Sequence, residues 1–573
     1  MNFFTKSAAL AAEVVIAAGM SATVALADDA PLVTKAPLYA SAAYAPAPAS
    51  CTSLYAFVTT ACPTTWYGIT LYGNLDLGGG YQTHGTPFDP NAVTGSSELI
   101  NPPSRTALWT QVPNGMSQSN IGIKWNEPFA SGWAEVGQAE LAFDPYSGLL
   151  ANNPVALQHA INTPITQQEL PIDSSRWGWL AGQIYTGVSS TTYGTLTFGR
   201  QNALLTDNVV AYDPMGAAYA FSAIGFDGKT CGAGDTEECR WTSAIKYRES
   251  IPIGNVGSFR FAVEGQPLQY GAFNPNNGAI EGDIGGDVKG VIPGVLSVDF
   301  AGGWIKDAVN IAPKNGTTFA PGFVGTPGLT AGFSEWLVAT VSNQTSFMAT
   351  LKYAFGSVGY ADPPILGKGP PPAPAPLVTI SGGYEWIQFS PPSDPQTSTF
   401  FDDGFLFNFN PAAVTGKVPT LNGTAINNLA FSSAAAGGLN CGAGAGKNCD
   451  DRILQIVWVG AKYAVTRNLD VIGAYYHYGQ NQFLITNTAV KGWNCTGSSA
   501  TATNPGLVGS SQNNQCAGTE DIWSAVVDWR FLPKWDLYIG EMFSQVNGGL
   551  AVSSGGFLAR NNYATTAGIR FRF

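Results

Sequence analysis

Counting back from the C-terminus, every second residue is apolar or small: Phe573, Phe571, Ile569, Ala567, Thr565 and Tyr563. Arg572 and Arg570 occupy the alternate positions. A period of two is that of a strand with two unlike faces. The pattern recurs upstream. Phe347, Ala349, Leu351, Tyr353 and Phe355 alternate with Thr350 and Lys352. Trp523, Ala525, Val527, Trp529 and Phe531 alternate with Ser524, Asp528 and Arg530. Trp241, Ile245 and Tyr247 alternate with Arg240, Thr242, Lys246 and Arg248, and Phe259, Phe261 and Val263 with Arg260 and Glu264. A soluble sandwich with an apolar core would also alternate. It would not put Trp and Phe at nearly every apolar position. A transmembrane barrel does, because its outer face meets lipid. A charge facing lipid near the midplane costs about 2–4 kcal/mol, so these charges face inward and the interior is wet.

The alternating segments fall at 66–81, 118–127, 132–143, 174–188, 193–200, 240–249, 256–270, 281–290, 295–307, 346–355, 377–389, 452–465, 468–480, 521–531, 535–543 and the terminal run. Very short connections, such as 128–131 and 291–294, take turns with long polar ones. That asymmetry is expected of an outer-membrane barrel, with short periplasmic turns and longer external loops. The expectation is an all-β, transmembrane antiparallel β-barrel of 16 strands with both termini periplasmic. Parity makes the Pro-rich stretch 363–376 a long periplasmic turn, and a separate strand at 335–342 would raise the count to 18. Trp66, Tyr81, Tyr270 and Trp535, near strand ends, are the expected interface girdles.

Composition agrees. Only 12% of residues are charged and 12% are aromatic, with 68 Gly, whereas soluble domains carry about 25% charge. Outside the N-terminus there is no apolar run of the ~18 residues a spanning helix needs. The formal charge of −12 argues against nucleic acid as a partner. Residues 1–27 read as a secretory signal peptide: Lys6 precedes a mostly apolar stretch, unusually interrupted by Glu13, and Ala25-Leu26-Ala27 forms the cleavage motif. Residues 28–65 form a periplasmic N-terminal segment, Ala/Pro-rich over 28–50, and 66–573 form the barrel. Eight cysteines fall into four close pairs: Cys51 with Cys62, Cys231 with Cys239, Cys441 with Cys449, and Cys495 with Cys516. In an exported chain these read as local disulfides that clip loops. Zinc is disfavoured, because there is no C-x-x-C and only three His are present.

The segment 201–239 stands out chemically. It carries Asp207, Asp213, Asp227, Asp235, Glu237 and Glu238 against Lys229 alone. The flanking wall carries Arg176, Arg200, Arg240, Lys246 and Arg248. An acidic loop against a basic wall sets a field across a narrow aqueous passage. The plainer reading is a solvated external loop beside ordinary lumen charges. Signals for an enzyme, metal or cofactor are poor. In Gly442-Ala-Gly-Ala-Gly-Lys447, Cys441 and Asn448 replace the residues a phosphate loop requires. His84, His159 and His477 are scattered.

Tyr72-Gly-Asn-Leu-Asp76, Ser119-Asn-Ile-Gly-Ile-Lys124, Gly137-Gln-Ala-Glu-Leu141, Tyr193-Gly-Thr-Leu-Thr-Phe-Gly-Arg200 and Gly568-Ile-Arg-Phe-Arg-Phe573 together resemble the Gram-negative general porins. The stretch from Cys51 to Cys62 is similar to the start of alphaproteobacterial members. The C-terminal Phe573 resembles the signal read by the barrel-assembly machinery. The resemblance implies a homotrimeric, water-filled barrel in the outer membrane, in contact with lipid and lipopolysaccharide. It implies that the loop after the fifth strand folds inward. Carried over by position, Asp207 and Asp213 are loop acids facing a basic wall that includes Arg176, Arg200 and Arg240. Pro214-Met-Gly-Ala-Ala218 replaces the family's loop signature, and Asn74 and Asn120 stand where relatives carry bases. That thins the basic ladder and leans the pore toward cations. The expected function is passive diffusion of small hydrophilic solutes and ions. The alternatives are a substrate-specific sugar or nutrient channel and a non-conducting barrel-anchored surface or adhesion protein.

Overall fold

The computed structural model describes residues 51–83, 107–146, 182–224, 240–273, 278–315, 335–358, 376–390, 401–403, 420–425, 451–482, 517–548 and 561–573, less 52, 63, 144, 267, 270, 271, 422 and 423. The wall is built from β1 (Ile69–Gln82), β2 (Leu108–Pro113), β3 (Asn120–Ala130), β4 (Trp133–Ala142), β5 (Ile184–Ser190), β6 (Gly194–Asn202), β7 (Arg240–Ile253), β8 (Gly257–Gln266) and β9 (Ala279–Lys289). It continues through β10 (Val295–Asn315), β11 (Glu335–Phe355), β12 (Val378–Ser390), β13 (Arg452–Thr466), β14 (Leu469–Gln480), β15 (Gly518–Leu532), β16 (Trp535–Gly548) and β17 (Asn561–Arg572). Each wall strand runs antiparallel to its neighbours, and β17 pairs with β1 from Asn74↔Arg572 to Gln82↔Ala564, which closes the barrel. The sheet has 19 segments for a 16-strand barrel. β2 and β3 are two pieces of one wall strand on β1, and Thr65–Trp66 and Phe401–Asp403 are short additions. Closure leaves no open edge, which lipid would not tolerate.

Each predicted strand has a counterpart among the described residues; of the one expected over 174–188, the part 174–181 lies outside them and β5 begins at Ile184. The run 335–342 is not a further strand; it extends β11 upward and pairs with β10. Short turns, such as 131–132 and 467–468, lie at one end, where Phe355 and Val378 also end their strands; the expected Pro-rich turn lies outside the described residues from 363 to 375. Gly132, at φ +73°, supplies the left-handed residue of a two-residue turn. Outward side chains such as Phe300, Phe347, Trp523 and Trp529 are exposed, as a lipid-facing surface must be. Their inward neighbours are largely buried, and the reason is a loop that enters the lumen.

In β7 the inside–outside alternation differs from the expected one. The register slips between Gly199 and Gln201, and Ser243 sits at φ +59°. This bulge turns Trp241 inward, where it is 1% exposed, while Ile245 stays outside. Arg200 and Arg240 thereby fall out of step with Lys246 and Arg248.

Before the wall, Cys51 and Cys62 form a disulfide around a short helix, α1 (Leu54–Thr59), whose N-cap Ser53 accepts the Ala56 N–H at 3.1 Å. The other three cysteine pairs lie outside the described residues. At the opposite terminus Phe573 exchanges two backbone hydrogen bonds with Gly73, both 3.0 Å.

Candidate functional site: the loop inside the barrel

After β6 the chain turns into the lumen as α2 (Leu204–Tyr212) and then a tight coil through Ile224. Asp207 in the first turn suits the positive end of the helix dipole. The helix lies along the inner faces of β8 to β12. Polar contacts fix it there. Asp207 accepts from Lys246 Nζ at 3.1 Å and from Arg248. Lys246 also pairs with Glu264 at 2.9 Å. The Leu205 N–H donates to Glu281 at 3.2 Å, and Asn208 donates to Asp283 at 2.7 Å. Tyr212 donates to Asp299, which Arg260 meets at 2.9 Å while reaching Asp287 at 2.6 Å. Lys352 Nζ lies 3.4 Å from the Ala211 carbonyl.

Beyond Tyr212 the bonding changes character. Asp213 is buried, and accepts the Tyr476 hydroxyl at 2.6 Å and the Ala217 N–H at 2.7 Å. Burial raises its pKa above the ordinary 3.8, against the lowering pull of those hydrogen bonds. Trp458 Nε1 donates to the Tyr212 carbonyl at 3.3 Å, and Tyr478 donates to that of Ala223 at 3.0 Å. Met215, Phe221 and Ile224 pack with Phe389, Ile456, Trp458, Ile522 and Val526 from the inner wall. Phe221 meets Tyr538 edge-on at 6.0 Å. Two wall glycines make room: a Cβ at Gly460 would sit 2.7 Å from Pro214, and one at Gly540 2.6 Å from Phe221. The loop meets the link between β2 and β3 through Tyr219, which donates to Gln118 at 2.7 Å; burial pushes the Tyr219 pKa up to about 12.

A second charged strip lies under the closing seam. Arg570 reaches Asp536 at 2.9 Å and Asp528 at 3.3 Å, Arg572 reaches Asp536 at 2.8 Å, and Arg530 reaches Asp470 at 2.7 Å. Asp76 accepts from Tyr538 at 2.7 Å and from the Met116 and Ser117 N–H groups.

The expected residues are thus only partly brought together. Asp207, Lys246 and Arg248 form one cluster, in direct contact rather than across an open gap. Asp213 is on the other side of the loop, held by Tyr476. Arg200 donates to the Arg240 carbonyl at 3.1 Å, and neither of the two arginines reaches Asp207. Arg176, Asp227, Asp235, Glu237 and Glu238 lie outside the described residues. Sequence reasoning missed the acids of β9 and β10. Their signal was present: Glu281, Asp283 and Asp287 share one strand parity, and Asp299 stands across from Gly285 of that same set.

A sequence model described as Gram-negative porin matches residues 11–361, more than half of the chain. The chain belongs to the Gram-negative porin family. A Gram-negative porin is an outer-membrane diffusion channel, and the closed barrel with an inserted loop is a structure suited to that role. No curated protein matches this porin's sequence. Among solved structures it is similar to an anion-selective porin from Comamonas acidovorans, at 12% identity and a TM-score of 0.46, covering 88% of this chain and 99% of that one. It is also similar to Pseudomonas putida OprB, at 9% identity and 0.42, covering 88% and 94%. Salmonella typhi OmpF in complex with daunomycin aligns at 13% identity and 0.41, covering 88% and 97%.

Proposed function

We propose that this porin is a passive, cation-preferring pore with no covalent chemistry, assembled as a homotrimer. The observation that carries the preference is the charge around α2. Six carboxylates (Asp207, Glu264, Glu281, Asp283, Asp287 and Asp299) face five cations (Lys246, Arg248, Arg260, Lys352 and the neighbouring Lys462). The strip at the seam leans the same way, with Asp76, Asp470, Asp528 and Asp536 against Arg530, Arg570 and Arg572. Fixed charge of one sign lining a wet passage enriches the opposite ion. The trimer rests on family membership.

A sugar slide is disfavoured. Among the described residues, the inward wall aromatics Trp458, Tyr476, Tyr478 and Tyr538 are at most 3% exposed, covered by the loop, and only Tyr72 and Tyr185 are half-buried, each hydrogen-bonded to a wall side chain. The test is swelling of proteoliposomes in isosmotic solutes. Small neutral sugars and amino acids should enter at rates that fall smoothly with size. Saturable uptake of one sugar and exclusion of its isomers would replace this reading with a specific channel.

A further inference from the structure

The wall strand that pairs with β1 is broken in the middle. β2 follows β1 as far as Pro113↔Leu77, and β3 resumes at Asn120↔Asn74. Residues 114–119 therefore stand opposite Leu75 and Asp76 alone, six residues against two. The surplus chain folds into the lumen, where Met116 joins the apolar core under the loop. Backbone that leaves its ladder at membrane depth must be satisfied by other groups. Here side chains do so. Asp76 Oδ2 accepts the Met116 and Ser117 N–H groups at 2.8 and 2.9 Å. Asn74 donates to the Gln118 carbonyl at 2.9 Å and to the Ser117 carbonyl at 3.1 Å. Ser119 Oγ accepts the Asp76 N–H at 3.0 Å, and Asn114 Oδ1 accepts the Ser119 N–H at 2.8 Å. Asn114 sits at φ +61°, a left-handed conformation that Asn adopts more readily than most residues. Asp76 Oδ1 in turn accepts the Tyr538 hydroxyl at 2.7 Å. The fit is close: a Cβ at Gly115 would lie 2.5 Å from that hydroxyl.

A regular strand across 113–120 would need none of these groups. The excursion supplies two bonding groups inside the lumen, and both hold the loop. The Gly115 carbonyl accepts the Ala220 N–H at 2.8 Å, and the Gln118 side chain accepts the Tyr219 hydroxyl at 2.7 Å. These contacts come late in the loop's course. α2 lies on β8 to β12, the coil after it packs on β12 to β16, and residues 219–220 meet the excursion beside β1. Surplus residues in a wall strand re-aim groups next to functional sites. We propose that the excursion is a catch for the tip of the lumen loop, and that Asp76 is its positioning residue. Asp76 holds the backbone of Met116 and Ser117, and so aims the Gly115 carbonyl and the Gln118 side chain at the tip. With the catch shut, the tip stays against the wall at β1 to β3. With it released, the tip leaves that wall and the passage there widens. The effect on current rests on the open-pore reading above; the catch itself does not.

The test compares the unaltered full chain with Asp76→Asn, both refolded and heat-modifiable. At nearly unchanged size, the amide sets an NH2 group against either the Tyr538 hydroxyl or the two N–H groups. Hydrogen–deuterium exchange, read by mass spectrometry on the peptide covering 216–224, should quicken at least about tenfold, the scale expected for losing a charged acceptor. Peptides from β8 to β12 should exchange as before. In planar bilayers the steps should be larger and flicker more. Tyr219→Phe should reproduce both effects in weaker form, and adding it to Asp76→Asn should change little further. If Asp76→Asn fails to fold, Gln118→Ala combined with Tyr219→Phe takes its place with the same two readouts. Unchanged exchange at the tip of a folded variant overturns the catch. Faster exchange spread over the whole wall overturns it too, because Asp76 then serves the barrel at large. A quickened tip in a protein that passes no current in any form supports the catch and overturns the open-pore reading instead.

Discussion

Replacing Trp458 and Phe221 together by alanine is expected to release the lumen loop and enlarge the pore. Both side chains are at most 1% exposed, and both lie between the loop and the wall. Truncating a buried Phe or Trp to Ala costs about 3–5 kcal/mol. The barrel itself is held by its backbone ladders, so most of that loss falls on docking of the loop. Even 3 kcal/mol raises the released population more than about 100-fold. Single-channel steps should become larger and noisier than those of the unaltered protein, with heat-modifiability unchanged. An unchanged, quiet step would mean that the polar contacts of α2 alone hold the loop. A milder handle is pH. Burial keeps the Asp213 pKa above 3.8, so the docked form retains a proton that the released form gives up. Docking is therefore strongest below that ordinary value and weakens as pH rises through the raised one. Flicker should grow across that window, and Asp213→Asn should abolish the dependence.

The second large effect concerns selectivity. Asp283 accepts from Asn208 and has no cation within ion-pair distance among the described residues. Asp283→Asn keeps the shape and removes one negative charge. In water a unit charge about 4 Å from an ion is worth about 1 kcal/mol, which is about a fivefold change in local cation concentration. Reversal potentials under a KCl gradient should shift toward anions in Asp283→Asn, and shift further when Asp287→Asn is added. No shift in either variant would place the selectivity filter elsewhere in the lumen.

The wall was legible in the sequence because lipid enforces its rule at every second position. Charges cannot face out, so Arg570, Asp528 and Lys352 announced the inner face and Phe347 and Trp529 the outer one. Two things were harder to read. The bulge at Ser243 reverses parity for Trp241 and Arg240, and a single non-Gly residue at positive φ leaves little trace in a period-two pattern. The apolar core inside the barrel was masked by the expectation of a wet lumen. Leu454, Ile456 and Trp458 face inward while Ile453, Val457 and Val459 face outward. A run that is apolar on both faces marks a strand buried on both sides, and here the second cover is the loop. Asp213 was read as a pore-lining acid because position along the chain shows its charge but not its burial. The acids of β9 were obscured by the glycines on the strand's outer parity, Gly282 and Gly286, which made the strand look weak.

The most direct test of the central claim is conductance of the refolded mature chain in planar bilayers under a KCl gradient. Long-lived ohmic steps, grouped in threes, with a reversal potential of the sign for cation preference, are the predicted result. A correctly folded, heat-modifiable barrel that passes no current would contradict it, and would mean that the inserted loop seals the lumen.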